Sequence, residues 1–132
     1  MNASDASPNN APVGIGLLGL GVVGSAVASS ILSAEGQQRG LRLCAAVVRD
    51  TARQRDVELP AGTLSSDPDT VLGSPDVDIV IELMGGEEPA MEYISLALSA
   101  GKHVVTANKE VISKHGEKLR NLATANNVSL QY

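Results

Sequence analysis

The sequence contains no phenylalanine and no tryptophan, and its two tyrosines, Tyr93 and Tyr132, leave aromatics at 2% of the chain. That scarcity argues against binding nucleic acid by stacking bases on rings. It also requires a core of Val, Ile, Leu and Ala, the residues that fill buried parallel sheets. Cysteine is nearly missing too. Cys44 stands alone, so no disulfide framework can form within the chain, which favours a reducing compartment, the cytoplasm. The thiol itself is expected to pack as a small hydrophobe. Positive charge is scarce: ten Lys and Arg face fifteen Asp and Glu, for a net charge of −5. No basic stripe offers a footprint for a phosphate backbone, so no nucleic-acid partner is expected. No apolar run reaches the ~20 residues of a membrane span. Metal-ligand spacing is absent among His, Cys and acids, so His103 and His115 receive no catalytic role and no metal is expected.

What remains is the composition of an ordinary globular domain, 43% hydrophobic and 19% charged over 132 residues. The first stretch, MNASDASPNNAP, has neither a basic nor an apolar secretory region and reads as a disordered tail over residues 1–12. One domain is expected over residues 13–132.

Within that domain, strand and helix patterns alternate. VGIGLL (13–18) suits a buried strand that stops at Gly19. The segment 22–32 turns helical, with Val23, Ala26, Val27, Ser30 and Ile31 on one face, and EGQQRG (35–40) is expected to close it at Gly36. LRLCAAVV (41–48) reads as a second strand and Thr63-Leu64 as a brief third. Asp67-Pro68 has the signature of an N-cap followed by proline at the first helical position, with the short helix ending at Gly73. DIVIELM (78–84) is a strand ended by Gly85-Gly86. Glu87-Glu88-Pro89 then opens a helix whose buried face is Ala90, Met91, Ile94, Ala97 and Leu98. HVVTA (103–107) is the next strand, followed by a helix to about Asn126 that buries Leu119, Leu122 and Ala123. VSLQY (128–132) alternates like a final edge strand with unpaired backbone groups, a template for self-association. This alternation implies an α/β fold, a doubly wound parallel sheet of the Rossmann NAD(P)-binding type with strand order 3-2-1-4-5-6.

Three positions in that frame carry chemistry. Gly19, Gly21 and Gly24 make G-x-G-x-x-G between a strand and a helix, the context in which the motif has force. Gly19 would make the tight turn, Gly21 would admit a pyrophosphate to the backbone, and Gly24 would let helix pack on strand; a packing turn without ligand is the alternative. The second strand ends in Val48-Arg49-Asp50, with Arg53 and Arg55 close behind. An arginine there suits the 2′-phosphate of NADP, whereas Asp50 keeps NAD possible, and a merely solvated arginine also fits. Lys109 lies just beyond the carboxyl end of a strand, where open α/β sheets bind ligands, although a lysine opening a helix is commonly only solvated. Glu82, inside an apolar strand, must find donors, and bonds to nearby backbone amides explain it better than catalysis.

The blocks GLLGLGVVGSAV, DIVIELMGGEEPA and ALSAGKHVVTANKEVISKHGEKLRNLATANNVSLQY together resemble homoserine dehydrogenase over residues 13 to 132. The resemblance implies an oxidoreductase that interconverts L-homoserine and L-aspartate 4-semialdehyde with NADPH or NADH, on the route to threonine, methionine and isoleucine. It implies a pyrophosphate loop at Gly19, Leu20, Gly21, Val22, Val23 and Gly24. It places Arg49 at the adenosine 2′-phosphate, Leu83, Met84, Gly85 and Gly86 beside the nicotinamide, and Thr106, Ala107, Asn108 and Lys109 at the segment whose lysine is implicated in catalysis. Family members continue into a substrate-binding and dimerisation domain with further catalytic residues, whereas this sequence stops at Tyr132. The expectation is a cofactor domain that binds NADP(H) without turnover, meets homoserine or aspartate semialdehyde only with that further domain, and belongs to a homo-oligomeric parent. A stand-alone dinucleotide sensor is the competing reading, and Lys109 argues against it. The ELMGG and TANK blocks argue against the first domain of another semialdehyde or dihydrodipicolinate-type reductase.

Overall fold

The computed structural model describes residues 11–132, so all but the last two residues of the expected tail lie outside the described residues. Six strands, β1 (Val13–Leu18), β2 (Leu41–Val47), β3 (Leu64–Ser65), β4 (Ile79–Glu82), β5 (His103–Thr106) and β6 (Leu130–Gln131), form one sheet. Every pairing is parallel and the order is β3-β2-β1-β4-β5-β6, the doubly wound order expected. The connecting helices are α1 (Val22–Leu32), α2 (Ala34–Gln38), α3 (Asp69–Leu72), α4 (Ala90–Ser99) and α5 (Lys109–Ala125).

The apolar strands bury both faces. Ile15, Leu17, Leu43 and Ala46 meet Ala28 and Ile31 of α1 on one side. Leu18, Val80 and Val104 meet Val71 of α3, Ile94 of α4 and Leu119 of α5 on the other. Gly16 lies beneath α3 because a side chain there would come within 2.7 Å of Val71 Cγ1. The face of α4 is as the spacing predicts: Ala90, Met91, Ile94, Ala97 and Leu98 are all buried. On α5, Leu119 and Ala123 are buried and Leu122 is half-buried.

Elsewhere the structure corrects the pattern. The buried face of α1 is Gly24, Ser25, Ala28 and Ile31, whereas Val23, Ala26 and Ser30 are exposed and Val27 is half-buried. This helix is apolar nearly all round, so periodicity alone matched two faces; close contact of Gly24 with the turn below selects the one with the small residues. Gly36 does not end α1. Ser33 starts a second helix by accepting a hydrogen bond from Gly36 N at 3.1 Å, and Gly36 is buried inside it. The left-handed reversal occurs at Gly40, φ 77°, whose carbonyl accepts from Val13 N at 2.7 Å. The strands drawn at 78–84 and 128–132 shrink to Ile79–Glu82 and Leu130–Gln131. Glu87 and Glu88 precede α4, and Glu88 Oε1 accepts from Glu92 N at 3.4 Å. The short helix at 69–72 has Asp67 Oδ1 accepting from Asp69 N at 3.0 Å, close to the expected cap.

At the amino ends of the strands, buried Lys102 was not singled out by its sequence context. It is 7% exposed, and its Nζ donates to the carbonyls of Ser74 at 2.5 Å and Val77 at 2.9 Å. These bonds hold the loop that enters β4. Hydrogen bonds to a charged group contribute about 1.5–3 kcal/mol, and the carbonyls lose their partner if the ammonium is removed. Lys102→Ala should therefore lower stability by about 2–4 kcal/mol, read as a shift of the urea midpoint at constant slope. A change under about 0.5 kcal/mol would show that water replaces the ammonium freely.

Candidate functional site

The crossover between β1 and β4 creates a crevice at their carboxyl ends, the place where open α/β sheets receive ligands. Here it is a cleft of about 450 Å³ walled by the Gly19–Gly21 turn, the exit of β2 from Val47 to Arg55, and Leu83–Gly85 after β4. Of the residues expected at a cofactor site it brings together Gly19, Leu20, Gly21, Arg49, Leu83, Met84 and Gly85. Asp50, Arg53, Arg55, Ser66, Pro68, Pro89 and Tyr93 join them. Val22 and Val23 begin α1 beside it, 85% and 60% exposed. Gly86, Thr106, Ala107, Asn108 and Lys109 lie outside this lining.

The three motif glycines are glycine for different reasons. Gly19 has φ 102°, and a Cβ there would sit 3.0 Å from the Leu83 backbone. A Cβ on Gly24 would lie 2.6 Å from Gly19 O. Both are required by the fold. Gly21 has φ −81°, outside the left-handed region that demands glycine, and a Cβ would meet nothing within 4 Å. It is also the N-cap of α1, with no side-chain hydrogen bond closing the helix end and no acid in the first turn. The first amides of the helix and its positive dipole end are thus available to an anion.

Glu82 is completely buried, and its role is the bonding to amides that its place in an apolar strand predicts. Oε2 accepts from Met84 N at 2.8 Å and Gly85 N at 3.2 Å, and Oε1 accepts from the Thr106 hydroxyl at 2.5 Å. Register explains the last bond, since Glu82 pairs directly with Thr106 across β4 and β5. Thr106 Oγ1 in turn accepts from Asn108 N at 3.0 Å. Asn108 Oδ1 caps α5 through Val111 N at 3.1 Å, and its Nδ2 donates to Gly86 O at 2.6 Å. The glycine-rich loop after β4 and the segment leading to Lys109 are therefore one bonded unit. Lys109 itself is exposed at the first position of α5.

His115, left unassigned by its spacing, adds a further tie. Its Nε2 lies 2.7 Å from Glu87 Oε2, while Lys114 Nζ donates at 3.1 Å to both Glu87 and Glu110. The hydrogen bond to His115 and then that to Lys114 hold the Glu87 carboxyl below its ordinary range, and the two carboxylates push the Lys114 ammonium upward. These contacts bridge 27 and 28 residues, and neither histidine nor lysine spacing in the sequence announces them. Cys44 is half-buried, and burial raises its thiol above the usual value, consistent with packing.

Two measurements check this geometry. Removing the buried carboxylate in Glu82→Ala leaves two amides and a hydroxyl without their acceptor, which should cost about 3 kcal/mol or more of unfolding free energy. A near-neutral effect in denaturant titration would mean that the loop holds its own shape. By NMR titration, Glu87 should ionise below an ordinary glutamate, and His115→Ala should return it upward more than Lys114→Ala does. Because its folded-state value is depressed, its stabilising contribution is present above the unfolded value and lost as pH falls through the folded one. An unmoved Glu87 in His115→Ala would contradict the pairing.

With this geometry established, relatives are informative. Residues 19–132 match the family described as homoserine dehydrogenase, NAD binding domain. The homoserine dehydrogenase of Synechocystis is 40% identical over 119 residues, covering 88% of this chain and 28% of that protein. That of Bacillus subtilis is 37% identical over 123 residues, covering 89% of this chain and 28% of that protein. Among solved structures, homoserine dehydrogenase from Thiobacillus denitrificans superposes with a TM-score of 0.82 at 37% identity, over 92% of this chain and 29% of that one. The Staphylococcus aureus enzyme at pH 7.5 gives 0.82 at 34% identity, over 92% and 32%. The chain thus spans about 28% of the length of the curated relatives it matches. From fold, cleft and likeness together, the chain belongs to the homoserine dehydrogenase NAD-binding domain family.

Proposed function

We propose that the cleft binds a nicotinamide dinucleotide, NADP(H) in preference to NAD(H), and that the chain is the cofactor-binding part of an enzyme interconverting L-homoserine and L-aspartate 4-semialdehyde. The observation that carries this reading is Gly21. Its φ of −81° is not one that demands glycine, and its missing Cβ faces open space, so no protein atom crowds a side chain out of that position. A pyrophosphate drawn against the backbone does. Gly19, Leu20, Val22, Val23 and Gly24 complete the loop, and Arg49 on the cleft wall is assigned to the adenosine 2′-phosphate. Leu83, Met84, Gly85 and Gly86 border the nicotinamide end.

When bound, the nicotinamide supplies or accepts the hydride. Lys109 then donates a hydrogen bond to the substrate oxygen, giving it a proton as the aldehyde is reduced and receiving it back as the alcohol is oxidised. Asn108 holds the start of α5 through its cap, and Thr106 and Ala107 set the approach of that segment. The hydroxy-acid and aldehyde substrates require the additional sequence that the relatives carry, so this chain alone binds cofactor without turnover. Its lone cysteine suits the cytoplasm, and the parent enzyme is assigned a homo-oligomer. Among the described residues no helix is long and apolar enough to cross a membrane.

Calorimetric titration with NADPH and NADH at one salt concentration tests the proposal. Tighter NADPH binding by at least about tenfold is expected, the share of a single well-placed charged contact. Gly21→Val should melt like the parent chain and bind neither dinucleotide. Wild-type chain that binds neither, or Gly21→Val that binds as before, would overturn the cradle. Robust homoserine oxidation by this chain would overturn the division of labour.

A further inference from the structure

We infer that Arg53 is a second specificity-determining cation for the 2′-phosphate, and that Arg55 is the positioning residue that presents it. This rests on the dinucleotide reading of the cleft. Half of the chain's six arginines fall within residues 49–55, and all three line the cleft with Asp50 as the lone acid beside them. One oxygen of that acid is engaged locally. Asp50 Oδ1 accepts from Ala52 N at 3.0 Å, closing a short turn after β2. Arg55 then bridges the same turn, donating from Nη2 to Asp50 O and from Nη1 to Arg53 O, each at 2.8 Å.

The chemistry follows from these bonds. A guanidinium that bonds two carbonyls keeps its full charge, because carbonyl oxygens are neutral partners. Its fork reaches two acceptors with separate nitrogens, which a lysine ammonium on a flexible stem does not reproduce. Arg55 therefore fixes the backbone on which Arg53 stands while adding uncompensated charge to the wall. With none of the three arginines in an ion pair among the described residues, the wall suits a phosphate monoester dianion better than a ribose hydroxyl. A hydroxyl would call on a carboxylate, and the wall sets a single one, Asp50, against three guanidinium groups.

Titration of the full chain with NADPH, NADH and adenosine 2′,5′-bisphosphate tests both assignments. Arg53→Ala should weaken NADPH and the bisphosphate about tenfold while leaving NADH within about twofold. Arg55→Lys, which keeps the charge, should produce the same selective loss at about three- to fivefold. A merely structural role for Arg55 would lower NADH and NADPH affinity together and overturn its assignment. An unchanged NADPH-to-NADH ratio in Arg53→Ala would overturn the second-cation role, with the cradle intact. A wild-type chain that binds none of the three ligands would instead remove the dinucleotide reading, and this inference with it.

Discussion

A carboxylate buried at the end of a central strand must be answered by donors, and in this domain the answer organises the loop after β4 and the start of α5. Glu82 ends β4 at 0% exposure. An uncompensated charge there would be costly enough to neutralise or unfold. Its two oxygens take Met84 N, Gly85 N and the Thr106 hydroxyl, which forces the chain to leave the sheet immediately after Glu82 and to turn through two positive-φ glycines. The same hydroxyl accepts from Asn108 N, so the start of α5 is referred to the end of β4. Together with the Asn108 Nδ2 bond to Gly86 O, this carboxylate ties the loop after β4 to the lysine that opens α5.

The glycines divide along a related line. Gly16, Gly19 and Gly24 are glycine because protein atoms crowd the missing side chain. Gly21 is different: its φ is negative and its surroundings are empty. The motif assigns the three glycines these separate roles in advance, and the contacts at Gly19 and Gly24 and the open space at Gly21 agree with that division.

Much of the architecture was legible because it follows from local pattern. Strands bounded by glycine, the G-x-G-x-x-G turn and the face of α4 from Ala90 to Leu98 all depend on short-range periodicity, and each occurs as expected. The misreadings share one physical cause. On α1 and around Gly36, the deciding contacts are between backbones: Gly24 on the Gly19 carbonyl, and Gly36 on the Ile31 carbonyl at 2.3 Å from a notional Cβ. Hydrophobic periodicity is blind to such approaches. Lys102, His115 and the Asn108 link to Gly86 were hidden because their partners lie 22 to 28 residues away. The role of Glu82 could be anticipated from burial alone, but its tie to Thr106 required the register of β4 against β5.

These differences give the exit of β2 and the segment leading to Lys109 unlike mechanical characters. The arginine wall after β2 is shaped by bonds spanning two to five residues, from Asp50 to Ala52 and from Arg55 back to Arg53 and Asp50. Such a loop carries its own geometry and can change its charged residues while the sheet beneath stays fixed. The segment leading to Lys109 is tied by bonds spanning 22 to 28 residues, which join β4, β5, α5 and the loop after β4 through buried and half-buried groups. Substitution there disturbs packing, capping and loop position together, because each partner is shared. In such a fold the charged residues at the exit of β2 are the more easily altered, whereas the placement of Lys109 is tied to the stability of the domain.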